Sequence, residues 1–170
     1  MTMTADTAKP SVAIFAAGCF WAVQRAFDRV PGVLETSVGY SQGKTDHPTY
    51  RTVVTGRTNH AEAIKITFDE SQVSYDDLLK VFWTIHDPTS LNRQEDDVGT
   101  QYRSGIYYLN EQQHKAALVS REEHQKTLSK PIVTEIEEAK QFWDAEEAHQ
   151  KYLEKGGNCS DKGSDVQCGA

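Results

Sequence analysis

Between Val12 and Val30 the spacing of the apolar residues changes once, at Gly18-Cys19. Val12-Ala13-Ile14-Phe15-Ala16-Ala17 is a short unbroken apolar run, the pattern of a core strand. From Val23 the apolar positions are Val23, Ala26, Phe27 and Val30, one face of a helix. A buried strand running straight into an amphipathic helix commits the chain to layering helices on a sheet. It also puts Cys19 at a helix N-terminus, where unpaired N–H groups and the macrodipole favour an anion. Such a position favours the thiolate, and the rings of Phe20 and Trp21 next to it predict an apolar pocket. The plainer alternative is that Cys19 is a small buried hydrophobe.

The rest of the chain extends the pattern. Pro31-Gly32 marks a turn, and Val33 to Tyr40 alternates with Leu34, Thr36, Val38 and Tyr40 on one face, a second strand. A polar loop over Ser41 to Pro48 leads to Thr49-Tyr50. Ala61 to Phe68 is a strand with Ile64, Ile66 and Phe68 on one side. Ser74 with Asp77 three residues on resembles a capping box, opening a helix with the stripe Leu78, Phe82, Ile85 that stops at His86-Asp87-Pro88. A polar loop through Asp97, a strand from Gln101 to Leu109, and a polar helix from Glu111 to Lys130 ended by Pro131 are expected next. Ile132 to Ile136 reads as a last strand, with Asp144 capping a short helix to Leu153. The expected fold is α+β, a two-layer sandwich of helices on one sheet. Residues 1–10 read as a disordered leader, 11–155 as a single catalytic domain, and 156–170 as a flexible cysteine-bearing tail.

With 18 Lys and Arg against 25 Asp and Glu, the net charge of −7 argues against non-specific nucleic-acid binding and anionic membranes. No apolar stretch approaches the roughly 20 residues of a membrane span. The polar, Thr-rich start lacks the basic-then-apolar order of a signal peptide, so a cytoplasmic location is expected. Three cysteines, Cys19, Cys159 and Cys168, make an odd count without C-x-x-C spacing. This disfavours a disulfide framework or a zinc site and favours catalytic or redox use.

Several side chains carry possible chemistry. Period-two geometry puts Glu62 on the core face with Ile64, Ile66 and Phe68. A carboxyl there is either paired or held protonated, and a protonated one beside a thiolate suits a departing oxygen. Rotation of a strand-end Glu into solvent is the alternative. Tyr50 and Tyr102 follow turn-rich loops and can donate to a developing oxyanion, or simply pack. Asp97 reads as part of a solvated acidic turn and His149 as an exposed helix residue. Cys159 and Cys168 lie in a Gly-rich tail with no core to fill, from which a thiol can swing to attack an oxidised sulfur. Cys19 and Arg25 also form the C-x5-R spacing of cysteine phosphatases. Phe20-Trp21-Ala22-Val23-Gln24 between them is bulky where a phosphate cradle favours small residues.

In order and spacing, these segments closely resemble the A-type peptide-methionine sulfoxide reductases, the family specific for the S epimer, from about Val12 to Leu153. The resemblance is carried by Gly18-Cys19-Phe20-Trp21, Val38-Gly39-Tyr40, Pro48-Thr49-Tyr50, Asn59-His60-Ala61-Glu62-Ala63, and Phe82-Trp83 with His86-Asp87-Pro88. It continues in Asn92-Arg93-Gln94, Asp97 with Gly99-Thr100-Gln101-Tyr102-Arg103-Ser104, and His149-Gln150-Lys151-Tyr152-Leu153. It implies a ferredoxin-like core with extra helices and an irregular tail. It implies Cys19 as nucleophile on the sulfoxide sulfur, Phe20 and Trp21 as a wall for the methyl group, and Glu62 as proton donor helped by Tyr50 and Tyr102. Asp97 and His149 match positions that hold the substrate main chain or order the site. A Cys19 sulfenic acid would be resolved by Cys159 and then Cys168, with thioredoxin or another dithiol as reductant and no bound cofactor or metal. The expected partners are oxidised proteins or free methionine sulfoxide and thioredoxin, and the expected assembly is a monomer. Three departures stand out: Ala22 where many members have Gly, Glu95-Asp96 in place of a pair such as Gly-Asn, and Asn158 where many place Tyr before the first tail cysteine.

Overall fold

The computed structural model describes residues 10–157; Cys159, Cys168, Asn158 and residues 1–9 lie outside them. The long strands are β1 (Pro10–Ala17), β2 (Val33–Ser41) and β3 (Ala61–Asp69). A two-residue hairpin follows, β4 (Arg93–Gln94) and β5 (Asp97–Val98). The remaining strands are β6 (Ser104–Tyr108), β7 (Glu135–Glu138) and β8 (Trp143–Asp144). The helices are α1 (Phe20–Asp28), α2 (Tyr50–Val53), α3 (Tyr75–Thr84) and α4 (Glu111–Gln125).

Six strands form one sheet in the order β7-β6-β1-β3-β2-β8. Its centre, β6-β1-β3-β2, is antiparallel throughout and is threaded β1-α1-β2-β3-α3-β6. This is the ferredoxin-like arrangement, extended by β7 parallel to β6 and by β8 antiparallel to β2. One face carries α1 and α3: Phe15, Val38, Ile64, Ile66 and Phe68 pack with Phe20, Phe27, Leu78 and Phe82, all fully buried. The other face buries Ile14, Ala16, Ala61, Ala63 and Tyr107 beneath Ala139 and Phe142. Cover on both faces is why β1 is an unbroken apolar run rather than an alternating one. Gly39 lets this second cover lie close, since a Cβ there would meet the Trp143 carbonyl oxygen and the Phe142 ring at 2.8 Å or less.

The capping box at α3 forms as the sequence implies: Asp77 N–H donates to Ser74 Oγ at 3.0 Å and Ser74 N–H to Asp77 Oδ2 at 3.1 Å. Other expectations are corrected. Pro10, assigned to the leader, already pairs with Asp69 in β1. Leu34 is 53% exposed because a bulge between Val33 and Glu35 breaks the alternation of β2. Gln101 and Tyr102 form a single 3-10 turn (Thr100–Tyr102) entered through Gly99 at φ +141°, so the strand begins only at Ser104. α4 ends at Gln125, five residues early, because the Gln125 amide turns the chain back: it donates to the Lys130 carbonyl and accepts from Ile132 N–H. The strand placed at Ile132 starts at Glu135, since Val133 N–H is taken by the Pro88 carbonyl at 2.8 Å. Asp144 caps no helix. It lies in β8 and accepts from Ser37 Oγ at 2.7 Å, and only a 3-10 turn (Glu147–His149) follows.

Candidate active site

Gly18 leaves β1 at φ +96°, which glycine adopts at little cost, and turns the chain so that Cys19 is the N-cap residue of α1. Cys19 is 7% exposed. The next residue fixes the second group: Phe20 N–H donates to Glu62 Oε1 at 3.1 Å. Glu62 is 1% exposed on the core face of β3, as its period-two position implies, and solvent rotation is overturned. The first N–H of α1 thus ties the Glu62 carboxyl to the residue next to Cys19.

An aromatic cluster adjoins this pair. Phe20 lies 5.7 Å from Tyr40 and 6.2 Å from Tyr50 between ring centroids. Trp21 stacks on Tyr152 at 4.1 Å, Tyr50 stacks on His149 at 4.3 Å, and Trp21 Nε1–H donates to His149 Nδ1 at 3.1 Å. That bond requires a neutral His149 ring with its proton on Nε2, and burial holds the imidazole pKa below its usual value against the opposing charge of Glu146. His149 is thus a half-buried member of the cluster, not an exposed helix residue. Burial first, then the charge of Glu62, raises the Tyr50 and Tyr102 phenols well above their usual range, so both stay neutral donors.

Trp21, Tyr50, Tyr102, His149, Tyr152, Asp96 and Asp97 line a cavity of about 460 Å³. A second cavity of about 260 Å³ is bordered by Cys19, Ala22, Val23, His86, Gln94 and Asp97. Asp97 lines both and is 8% exposed, so it departs from the solvated acidic turn, whose Glu95 and Asp96 are exposed. The two residues between Gln94 and Asp97 close the β4–β5 hairpin, with Glu95 at φ +52°. Arg25 faces outward, its Nε 3.9 Å from Glu154 Oε1, and the residues linking it to Cys19 are helical. No phosphate-cradling loop joins Cys19 to Arg25.

The family described as peptide methionine sulfoxide reductase matches residues 11–169. The chain belongs to that family. It is 57% identical over 143 residues to peptide methionine sulfoxide reductase A1 of Arabidopsis thaliana, covering 84% of this chain and 71% of that protein. It is 51% identical over 159 residues to the MsrA of Geobacter metallireducens, covering 91% and 98%. Among solved structures, methionine sulfoxide reductase A of Corynebacterium diphtheriae superposes with a TM-score of 0.86 at 38% identity, covering 94% of this chain and 82% of that one. The Saccharomyces cerevisiae protein Mxr1 in complex with Trx2 is similar at TM-score 0.62 and 25% identity, covering 85% of each chain.

The reductase frames its site with residues that sequence reasoning passed over. Glu146 accepts from Tyr40 Oη–H at 2.8 Å and from Tyr50 N–H at 3.0 Å, tying α2 to β2. Desolvation pushes the Glu146 carboxyl up, but hydrogen bonds from its own backbone, Tyr50 and Tyr40 outweigh it and leave the pKa below the usual carboxylate value. His86, read only as a helix stop, lies against the Phe82 carbonyl through Nδ1 at 2.8 Å and against Ser104 Oγ through Nε2 at 2.7 Å. Nothing in the run Asn92-Arg93-Gln94 marks a role for Gln94. The partners of Glu146 lie 96 and 106 residues away, and Ser104 lies 18 residues from His86, so local spacing does not signal these contacts. A groove of about 740 Å³ between α3 and α4, lined by Trp83, Val119 and His124, holds none of these groups.

Proposed function

We propose that this reductase converts methionine S-sulfoxide, free or in proteins, to methionine, repairing oxidative damage. The observation that carries the reading is the Phe20 N–H to Glu62 Oε1 bond of 3.1 Å, which ties a buried carboxyl to the helix N-terminus that Cys19 caps. The Cys19 thiolate attacks the sulfoxide sulfur, and Glu62 delivers the proton to the sulfoxide oxygen. Tyr50 and Tyr102, neutral phenols, hydrogen-bond that oxygen as charge builds on it. Phe20 and Trp21 receive the methyl group, and Asp97 and His149 orient the substrate main chain. The protonated oxygen passes as hydroxyl from the substrate sulfur to the Cys19 sulfur while the new bond between the two sulfurs breaks, so methionine leaves reduced and Cys19 is left as a sulfenic acid.

Cys159 then attacks the Cys19 sulfur, forming a disulfide and releasing water, and Cys168 takes over the disulfide by exchange. A thioredoxin-type dithiol reduces it. The Mxr1–Trx2 complex supports a dithiol protein as that partner. The cycle needs no bound cofactor or metal, and a monomer in a cytoplasm supplied with thioredoxin is sufficient for it.

The test uses the purified chain with dithiothreitol and each epimer of a methyl sulfoxide. The S epimer is reduced and the R epimer is not; turnover of neither refutes the assignment. Cys19→Ser abolishes the reaction. Glu62→Gln keeps a hydrogen-bonding group but supplies no acid proton, so it slows reduction by about 10²–10⁴-fold, less than Cys19→Ser. A full rate at neutral pH removes Glu62 from the acid role.

A further inference from the structure

Gln94 is held at three points. Its main chain is paired with Asp97 in the β4–β5 hairpin. Its amide is clamped by the main chain of Asp87: Oε1 accepts from Asp87 N–H at 2.9 Å and Nε2 donates to the Asp87 carbonyl at 2.7 Å. Between these ends its methylenes lie against Gly18, on the side where a Cβ would project. A Cβ built on Gly18 would stand 2.8 Å from Gln94 Cγ and 3.1 Å from Gln94 Cβ. Gln94 is 8% exposed and borders the same cavity as Cys19.

Gly18 is the residue with most need of such a wall. It sits at φ +96°, free of the steric limits that fix other residues, and it sets the direction in which Cys19 enters α1. The anchor behind the wall is firm, because Asp87 follows His86, which is bonded to both α3 and β6. We propose that Gln94 is a positioning residue for Cys19: its pinned side chain confines the Gly18 turn and so keeps the thiol aligned on the N-terminus of α1. The inference rests on Cys19 as the working thiol.

Without the wall, Gly18 samples more of its conformational range and Cys19 spends less time in line with the helix N-terminus. Both the thiolate population and the reacting geometry then decline. The experiment follows alkylation of Cys19 by iodoacetamide against pH, reading the Cys19 peptide by mass spectrometry in the full chain, beside sulfoxide turnover with dithiothreitol. In Gln94→Ala the midpoint of the alkylation profile shifts by about one pH unit from the wild-type value. kcat falls about tenfold while KM stays within about twofold. Gln94→Met keeps the chain over Gly18 without the amide and recovers part of both losses.

A Gln94→Ala protein with the wild-type alkylation profile overturns the proposal, whether or not its melting temperature and turnover fall, since a merely structural role leaves the thiol profile in place. Should Gln94→Ala not fold, Gln94→Asn, one carbon too short to span the gap, is read the same way. If the wild-type chain reduces neither epimer, the alkylation arm still reports on Gln94, so the two failures are distinct.

Discussion

His86 carries a consequence for acid stability. Its Nδ1 faces a carbonyl and its Nε2 a hydroxyl, so the neutral ring with a proton on Nδ1 satisfies both partners. Burial pushes its pKa down to about 4, against the opposing effect of the Phe82 carbonyl and the charge of Asp87. The unfolded chain takes up this proton near the ordinary value of 6.5. Above that pH both states are neutral and the contribution of His86 is fully present; it is lost as pH falls from 6.5 toward 4. The span corresponds to roughly 3 kcal/mol. The His86 ring resonances should titrate near pH 4, and the urea midpoint should fall across the same window; titration near 6.5 contradicts the buried neutral ring. At this scale Glu62 was legible because period two decides which face a strand residue occupies. Asp97 and Gln94 were not, because their burial is set by a hairpin that brings the far side of the site together.

Gly39 shows the same division among elements. Its strand was legible from alternation, but nothing nearby signals that another segment crosses directly over it. Gly39→Ala places a methyl group into the Trp143 carbonyl and the Phe142 ring. It should cost about 1–3 kcal/mol, measured by denaturant midpoint. An unchanged midpoint would mean that the 139–144 segment gives way at no cost. The capping box of α3 was legible because both partners lie within four residues. The end of α4 was not: Gln125 stops the helix through Lys130 and Ile132, side chain to main chain, and that choice competes with a polar pattern that would let the helix run on to Pro131.

For the whole molecule, the alternation of strands and helices specified the layered core, and the antiparallel order β6-β1-β3-β2 follows from one thread. The segment after β8 is attached differently. Gln150 bonds both main-chain groups of Val38, Lys151 N–H reaches Gln24 Oε1 at 2.6 Å, and His149 and Tyr152 rest on Trp21. Side-chain hooks outnumber ladder bonds here, so this segment opens at lower free energy than the central strands. Hydrogen exchange should show the Ala145 and Lys151 amides losing protection before those of Ile14 and Ile66. Equal protection would mean that the segment unfolds only with the sheet.

Trp21 sits on the seam between that segment and the helix bearing the thiol, 4.1 Å from Tyr152. The indole donates its one N–H to His149 across the same seam. The molecule thus carries an intrinsic optical probe: peeling back the last turn hydrates this indole and shifts its emission to the red, at a denaturant concentration where the sheet is still intact.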